Sequence, residues 1–70
     1  MAKQNQVTVN GESRNFPDTA NLSDVVRALQ LEPERVAVEL NRAIVRRELW
    51  ASTEVGDGAE IEIVQFVGGG

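Results

Sequence analysis

Gly56-Asp57-Gly58-Ala59-Glu60-Ile61-Glu62-Ile63-Val64-Gln65-Phe66-Val67 is the stretch that decides the fold. Gly-Asp-Gly marks a tight turn, and after it acidic and β-branched residues alternate with the period of two that a pleated strand requires. The phase predicts Ile61 and Ile63 on the core side and Glu60 and Glu62 outward. Continuing it sets Val64 and Phe66 on the outward face as well. An apolar pair in that position is either a docking patch or the sign of a bulge that turns Phe66 inward. This is the longest strand signal in the chain, so the architecture depends on what precedes it and what it pairs with.

At the other end, Val7 and Val9 alternate with Thr8 and run into Asn10-Gly11, followed by Glu12-Ser13-Arg14-Asn15-Phe16. Asn-Gly supplies the two positive φ values of a type I′ turn, so the chain opens on a β-hairpin, which Pro17 ends because it has no N–H for a ladder. Leu22, Val25, Val26 and Leu29 fall at i, i+3, i+4 and i+7, a single apolar helical stripe. Asn21 is placed to cap it and Asp24 to favour its positive end. Glu32-Pro33 requires the helix to stop there or before. Val36-Ala37-Val38-Glu39-Leu40 reads as a strand, Asn41-Arg42 as a turn and Ala43-Ile44-Val45 as a short returning strand, with Arg46 to Trp50 a charged connector.

A hairpin, one helix and two or three further strands make an α+β arrangement. A last strand laid beside Val7 and Val9 after the helical crossover is parallel to the first. That is the β-grasp (ubiquitin-like) architecture, a mixed sheet of four to five strands with one helix packed across it. Val7, Val9, Val25, Val26, Leu29, Val38, Leu40, Ile61 and Ile63 are expected to supply most of the core. The expected organisation is one β-grasp domain over residues 1–67 and a flexible glycine tail over 68–70.

Composition narrows the function. Seventy residues bury only about 60% of the unfolded chain's surface, which leaves little room for an internal active-site cleft. The sequence has no cysteine and no histidine, which excludes thiolate metal sites, cysteine nucleophiles and imidazole general bases, and it has no tyrosine. Asp, Glu and the single Lys3 remain, so the protein is expected to bind no metal or cofactor and not to be an enzyme. Seven basic against eleven acidic residues give a net charge of −4, which disfavours nucleic acid as a partner. Nowhere do ten apolar residues run together as a signal or membrane span would need. The expected location is cytoplasmic.

Gly68-Gly69-Gly70 follows the decisive strand directly. The plain reading is a frayed end. The functional reading starts from the missing Cβ: Gly68 and Gly69 can thread as bare backbone through a channel too narrow for side chains and present the carboxylate of Gly70 inside another protein. A carboxylate reacts with nucleophiles only after one oxygen becomes a leaving group. Attack on the α-phosphate of ATP provides one by forming an acyl-adenylate, on phosphate-clamping machinery that belongs to the partner. If sulfur then displaces AMP, the product is a terminal thiocarboxylate, and the protein is a carrier of one sulfur atom.

Ala37-Val38-Glu39-Leu40-Asn41-Arg42-Ala43-Ile44-Val45 with Arg47 and Trp50, then Gly56-Asp57-Gly58-Ala59-Glu60-Ile61-Glu62-Ile63-Val64 and the closing Val67-Gly68-Gly69-Gly70, resembles the ThiS family, the sulfur carriers of thiamin biosynthesis. The resemblance covers essentially the whole chain. It implies that Gly70 is adenylated by an E1-like, ThiF-type enzyme using ATP and converted to the thiocarboxylate with sulfur from a donor such as a cysteine desulfurase. It implies further that the sulfur passes to a ThiG-type thiazole synthase, where the thiazole ring is built. The family often has proline between the residues matching Val45 and Arg47, where this chain has Arg46. The alternatives are a carrier for another pathway, like the small subunit of molybdopterin synthase, and a ubiquitin-like modifier or interaction module.

Three further expectations concern single residues. Trp50, the only tryptophan, is read as core or lid before ligand stacking. Arg42, Arg46 and Arg47 are read as a solvated face before a phosphate or partner contact, and Asp57 as shaping its turn. The outward residues Glu60, Glu62, Val64 and Phe66 are the expected docking face for the adenylating partner.

Overall fold

The computed structural model describes residues 3–67. Strand β1 (Gln4–Val9) and strand β2 (Glu12–Pro17) form the opening hairpin, followed by helix α1 (Leu22–Ala28), a 3-10 turn at Pro33–Arg35, strand β3 (Val36–Leu40), strand β4 (Ala43–Val45), a 3-10 helix at Arg47–Ser52 and strand β5 (Glu60–Gln65). The five strands lie in the order β2-β1-β5-β3-β4. The decisive strand is therefore the centre of the sheet, parallel to β1 and antiparallel to β3. This is the mixed sheet that the sequence predicts, with α1 packed across one face.

Both hairpin turns are built on asparagine. Asn10 and Gly11 have φ of 51° and 83°, the paired positive values of the predicted turn, and Asn41 and Arg42 repeat the geometry at 52° and 71°. Each asparagine side chain also reaches the central strand. Asn10 Nδ2 donates to the Ile63 carbonyl at 3.1 Å while its Oδ1 accepts the Ile63 N–H at 2.7 Å. The amide thus continues the β1–β5 ladder beyond its last backbone pair, Val9 with Ile61. On the other edge, Asn41 donates its N–H to the Glu60 carbonyl at 2.7 Å and accepts the Glu60 N–H on Oδ1 at 2.9 Å. The start of β5 is fixed in the same way, since the Asp57 carboxylate accepts the Gln6 N–H at 2.7 Å and Gly58 donates to the Gln6 carbonyl at 2.8 Å. Asp57 therefore ties its turn to β1 as well as shaping it.

Helix α1 begins with a reciprocal cap: the Asn21 side chain accepts the Asp24 N–H at 2.8 Å, and the Asp24 carboxylate accepts the Asn21 N–H at 3.0 Å. It ends well before Pro33. Leu31 donates to the Val26 carbonyl and Gln30 to the Arg27 carbonyl, the pair of bonds of a Schellman stop, with Gln30 in the left-handed region at φ 59°. That stop was not signalled in the sequence, because glycine usually marks it.

The core is formed by Val7, Val9, Leu22, Val25, Val26, Val38, Ile61 and Ile63, joined by Phe16, Ala20, Val36, Trp50, Val55 and Ala59. Two expected members are corrected. Leu29 and Leu40 are only half-buried and pack against the core's margin. Leu29 is the residue at which the helix ends, and Leu40 is the last residue of β3 before the turn. Trp50 fulfils the core reading. It is 3% exposed, and its indole N–H donates to the Val45 carbonyl at 2.8 Å, so burial leaves no polar atom unpaired.

Candidate functional site

The face of the sheet turned away from α1 carries the outward residues of the decisive strand. Glu60, Glu62 and Val64 all lie exposed there, Val64 at 60%. The strand runs unbroken to Gln65, and Phe66 is 57% exposed. The bulge alternative is thereby overturned: the alternation holds from Glu60 to Val64, Gln65 is exposed as well, and both apolar side chains meet solvent.

Strand register adds residues from neighbouring elements. Ala37 stands opposite Val64 and Glu39 opposite Glu62 across the β3–β5 pair, and Ile44 of β4 stands opposite Glu39. Ile44 is 73% exposed. The sequence reading named neither Ile44 nor Glu39 for this face. The signal was present in the alternation of Val36 to Leu40, but only the pairing order brings β3 beside β5 and β4 beside β3. Directly opposed carboxylates on facing strands repel one another. Among the described residues Glu39, Glu60 and Glu62 make no salt bridge. The face thus combines uncompensated negative charge with exposed Ile44 and Val64, a surface suited to a partner that brings cationic and apolar side chains together.

The same strand delivers the chain toward its glycines. Val36 pairs with Gln65, and the Phe66 N–H donates to the Arg35 carbonyl at 2.7 Å, so among the described residues the body's last backbone hold on the end of β5 is at Phe66. Val67 is 95% exposed. Gly68, Gly69 and Gly70, the expected threading and modified residues, lie outside the described residues.

The remaining candidates fall into place around this face. Arg42, Arg46 and Arg47 are exposed, and Arg46 meets Glu48 at 3.4 Å, an exposed pair of little energetic weight. The position where the family often has proline is the first residue before the 3-10 helix, and Arg46 holds there a φ of −66°. That is the value a proline ring imposes, so the backbone keeps the proline conformation without the ring. Among the described residues no cluster of three metal-ligating side chains occurs, and no helix is long and apolar enough to cross a membrane.

Comparison with known proteins yields consistent likenesses. A sequence model of the ThiS family matches residues 7–70. A sulfur carrier protein ThiS from Bacillus subtilis is 43% identical over 53 residues, covering 76% of this chain and 80% of that protein. A thiazole synthase from Paramagnetospirillum magneticum is 38% identical over 65 residues, 93% of this chain but only 20% of that protein. The chain thus spans about a fifth of the length of the thiazole synthases it matches. The crystal structure of the thiamine biosynthesis protein ThiS from Geobacter metallireducens superposes with a TM-score of 0.79 at 35% identity, covering 93% of this chain and 99% of that one.

Proposed function

Because the chain belongs to the ThiS family, we propose that it is a sulfur carrier protein of thiamin biosynthesis, acting as a co-substrate for other enzymes. The observation that carries this reading is that the family match runs through the three glycines to residue 70. Residues 1–67 are the carrier body and 68–70 the lead that enters the partner. The reaction begins when a carboxylate oxygen of Gly70 attacks the α-phosphorus of ATP on a ThiF-type enzyme. Pyrophosphate leaves and an acyl-adenylate forms. The terminal sulfur of a persulfide on a donor such as a cysteine desulfurase then displaces AMP to give an acyl disulfide; a second thiol attacks the donor's sulfur, forms a disulfide with it and releases the thiocarboxylate, which delivers its sulfur to a ThiG-type thiazole synthase. The cytoplasm, which holds ATP and thiol-borne sulfur, is the compartment that suits this chemistry.

The body contributes position. With the last backbone hold among the described residues at Phe66, Gly70 is the fourth residue beyond it, an extended reach of about 13–14 Å. Docking through Glu60, Glu62, Val64 and Phe66, extended by Ile44 and Glu39, holds the carboxylate within that reach of the nucleotide, so the rate gain comes from proximity. Gly68 and Gly69 keep the lead free of side chains.

The test is intact-mass analysis of the untagged protein after incubation with ATP, the adenylating enzyme and a sulfide source. One oxygen replaced by one sulfur at the end of the chain is the expected product. Conjugation to a second protein would identify a ubiquitin-like modifier, and an unchanged mass would overturn both. In parallel, Gly69→Val and deletion of Gly70 are expected to abolish ATP–pyrophosphate exchange while leaving the circular dichroism spectrum unchanged. Full exchange without Gly70 would return the glycines to a frayed end.

A further inference from the structure

On the opposite side of the molecule, helix α1 and the 3-10 helix at Arg47–Ser52 enclose an open cleft of about 350 Å³. Its floor is apolar, from Val26, Leu31, Pro33 and the buried Trp50, and its rim carries Arg27 and Arg47. The Schellman stop after α1 makes the floor, because it folds Leu31 back onto Val26, with the Leu31 N–H bonded to the Val26 carbonyl. The indole N–H of Trp50 is already bonded to Val45, so the ring offers only carbon to an occupant.

The charge at this cleft runs against that of the chain. The protein carries a net −4, yet among the described residues no acidic side chain lines the cleft. Arg27 gives one guanidinium nitrogen to Asp24 at 3.2 Å and keeps its other donors. Arg47 makes no salt bridge among the described residues. A guanidinium presents a planar fork of donors that matches a carboxylate. Two of them above an apolar floor select an anion attached to an apolar body. The volume lies near the lower end of ligand pockets and suits one or two side chains.

We propose that the cleft between α1 and the 3-10 helix at Arg47–Ser52 is a second docking site, which takes an acidic segment with an apolar anchor from a protein partner. An aliphatic or aromatic side chain seats on Leu31 and Pro33, above the buried Val26 and Trp50, and its neighbouring carboxylates pair with Arg27 and Arg47. The site lies in the helical layer, behind the sheet from Glu62 and Val64, and its charge is opposite to theirs. A partner held here therefore does not compete for the sheet face, and one molecule can be held by two partners at once. This goes beyond the carrier reading and stands on the cleft alone.

The test uses the intact protein labelled with ¹⁵N and a blocked peptide, acetyl-Asp-Glu-Leu-Phe-Asp-amide, with its charge-reversed counterpart, acetyl-Lys-Lys-Leu-Phe-Lys-amide, as control. Saturable shifts at Arg27, Leu31, Arg47 and the Trp50 indole are expected with the acidic peptide at about 1 mM or below. The basic peptide should give none there. Arg47→Glu is expected to weaken binding about tenfold or more, the scale of one charge-assisted hydrogen bond. Arg47→Lys should lose less, and raised salt should weaken the wild type. The Trp50 emission and thermal unfolding of the variants confirm that they fold. Equal binding of both peptides, shifts confined to the sheet face, or no cleft shifts at millimolar peptide would overturn the proposal. Cleft shifts that grow with protein concentration alone would replace the partner by a second copy of this chain, and also overturn it. Thiocarboxylate formation is read separately by mass, so failure here leaves the carrier reading intact.

Discussion

Asn10 does two jobs that glycine would divide. Its backbone takes the positive φ that the first hairpin turn needs, and its side chain holds both polar groups of Ile63. Glycine keeps the first role and loses the second, so Asn10→Gly isolates the side-chain bonds. It is expected to cost about 1–3 kcal/mol, because it strands a half-buried N–H and carbonyl on the central strand. Urea unfolding measures this, and an unchanged midpoint would show that water replaces the amide freely. Positions where a larger side chain occupies the left-handed region should respond in the other direction. Gln30 at φ 59° and Arg42 at φ 71° make no side-chain hydrogen bond among the described residues that glycine would forfeit. Gln30→Gly is expected to stabilise by about 0.5–1 kcal/mol, as relief of left-handed strain exceeds the added chain entropy. Arg46 is the counterpart for proline. Its φ of −66° fits the ring, its N–H donates no backbone hydrogen bond among the described residues, and the preceding Val45 is in a strand. Arg46→Pro should raise stability by about 0.4–1 kcal/mol through the unfolded chain, and a lowered melting temperature would refute that account.

At the scale of the elements, the sequence was legible wherever one residue type serves one local geometry. Asn10-Gly11 specified the first hairpin, the Leu22 to Val26 stripe with Asn21 and Asp24 specified the helix and its cap, and the alternation from Glu60 gave the faces of β5 correctly. What was not legible lay in residues whose role is set by tertiary pairing. The end of α1 is formed by glutamine where glycine is the usual sign, and Arg47–Ser52 winds as a 3-10 helix with no amphipathic period of its own. Ile44 and Glu39 join the proposed docking face only because β3 lies beside β5 and β4 beside β3. The helix stripe itself is uneven, which leads to a further prediction. Leu22 is 0% exposed and lies against the sheet, whereas Leu29 is half-buried at the helix end. Leu22→Ala should cost about 2–5 kcal/mol, a large part of a small domain's stability. Leu29→Ala should cost distinctly less. Equal losses in chemical denaturation would mean that the core extends to Leu29 in solution.

Taken as a whole molecule, the proposed carrier separates its charge and its apolar exposure in a way that allows association and holding to be told apart. Glu39, Glu60 and Glu62 make no salt bridge among the described residues, and Ile44, Val64 and Phe66 are exposed around them. Carboxylates act at a distance on the rate of encounter, while apolar side chains act only once water is excluded and so govern dissociation. Glu62→Lys is therefore expected to slow association with the adenylating enzyme, and the effect should shrink as salt rises and the Debye length falls from about 10 Å at 0.1 M to about 3 Å at 1 M. The same substitution places a cation opposite Glu39 and should leave the fold equal or more stable, by about 0.2–1 kcal/mol, since it removes a like-charge pair. Val64→Asp should instead speed dissociation, with little salt dependence in the aliphatic part of its loss. Stopped-flow association and dissociation at two ionic strengths, with thermal unfolding of each variant, read all of these quantities. A Glu62→Lys protein that is more stable and docks as fast as the wild type at low salt would remove the sheet face from the docking surface. The opposed carboxylates would then be a cost to stability that docking does not explain.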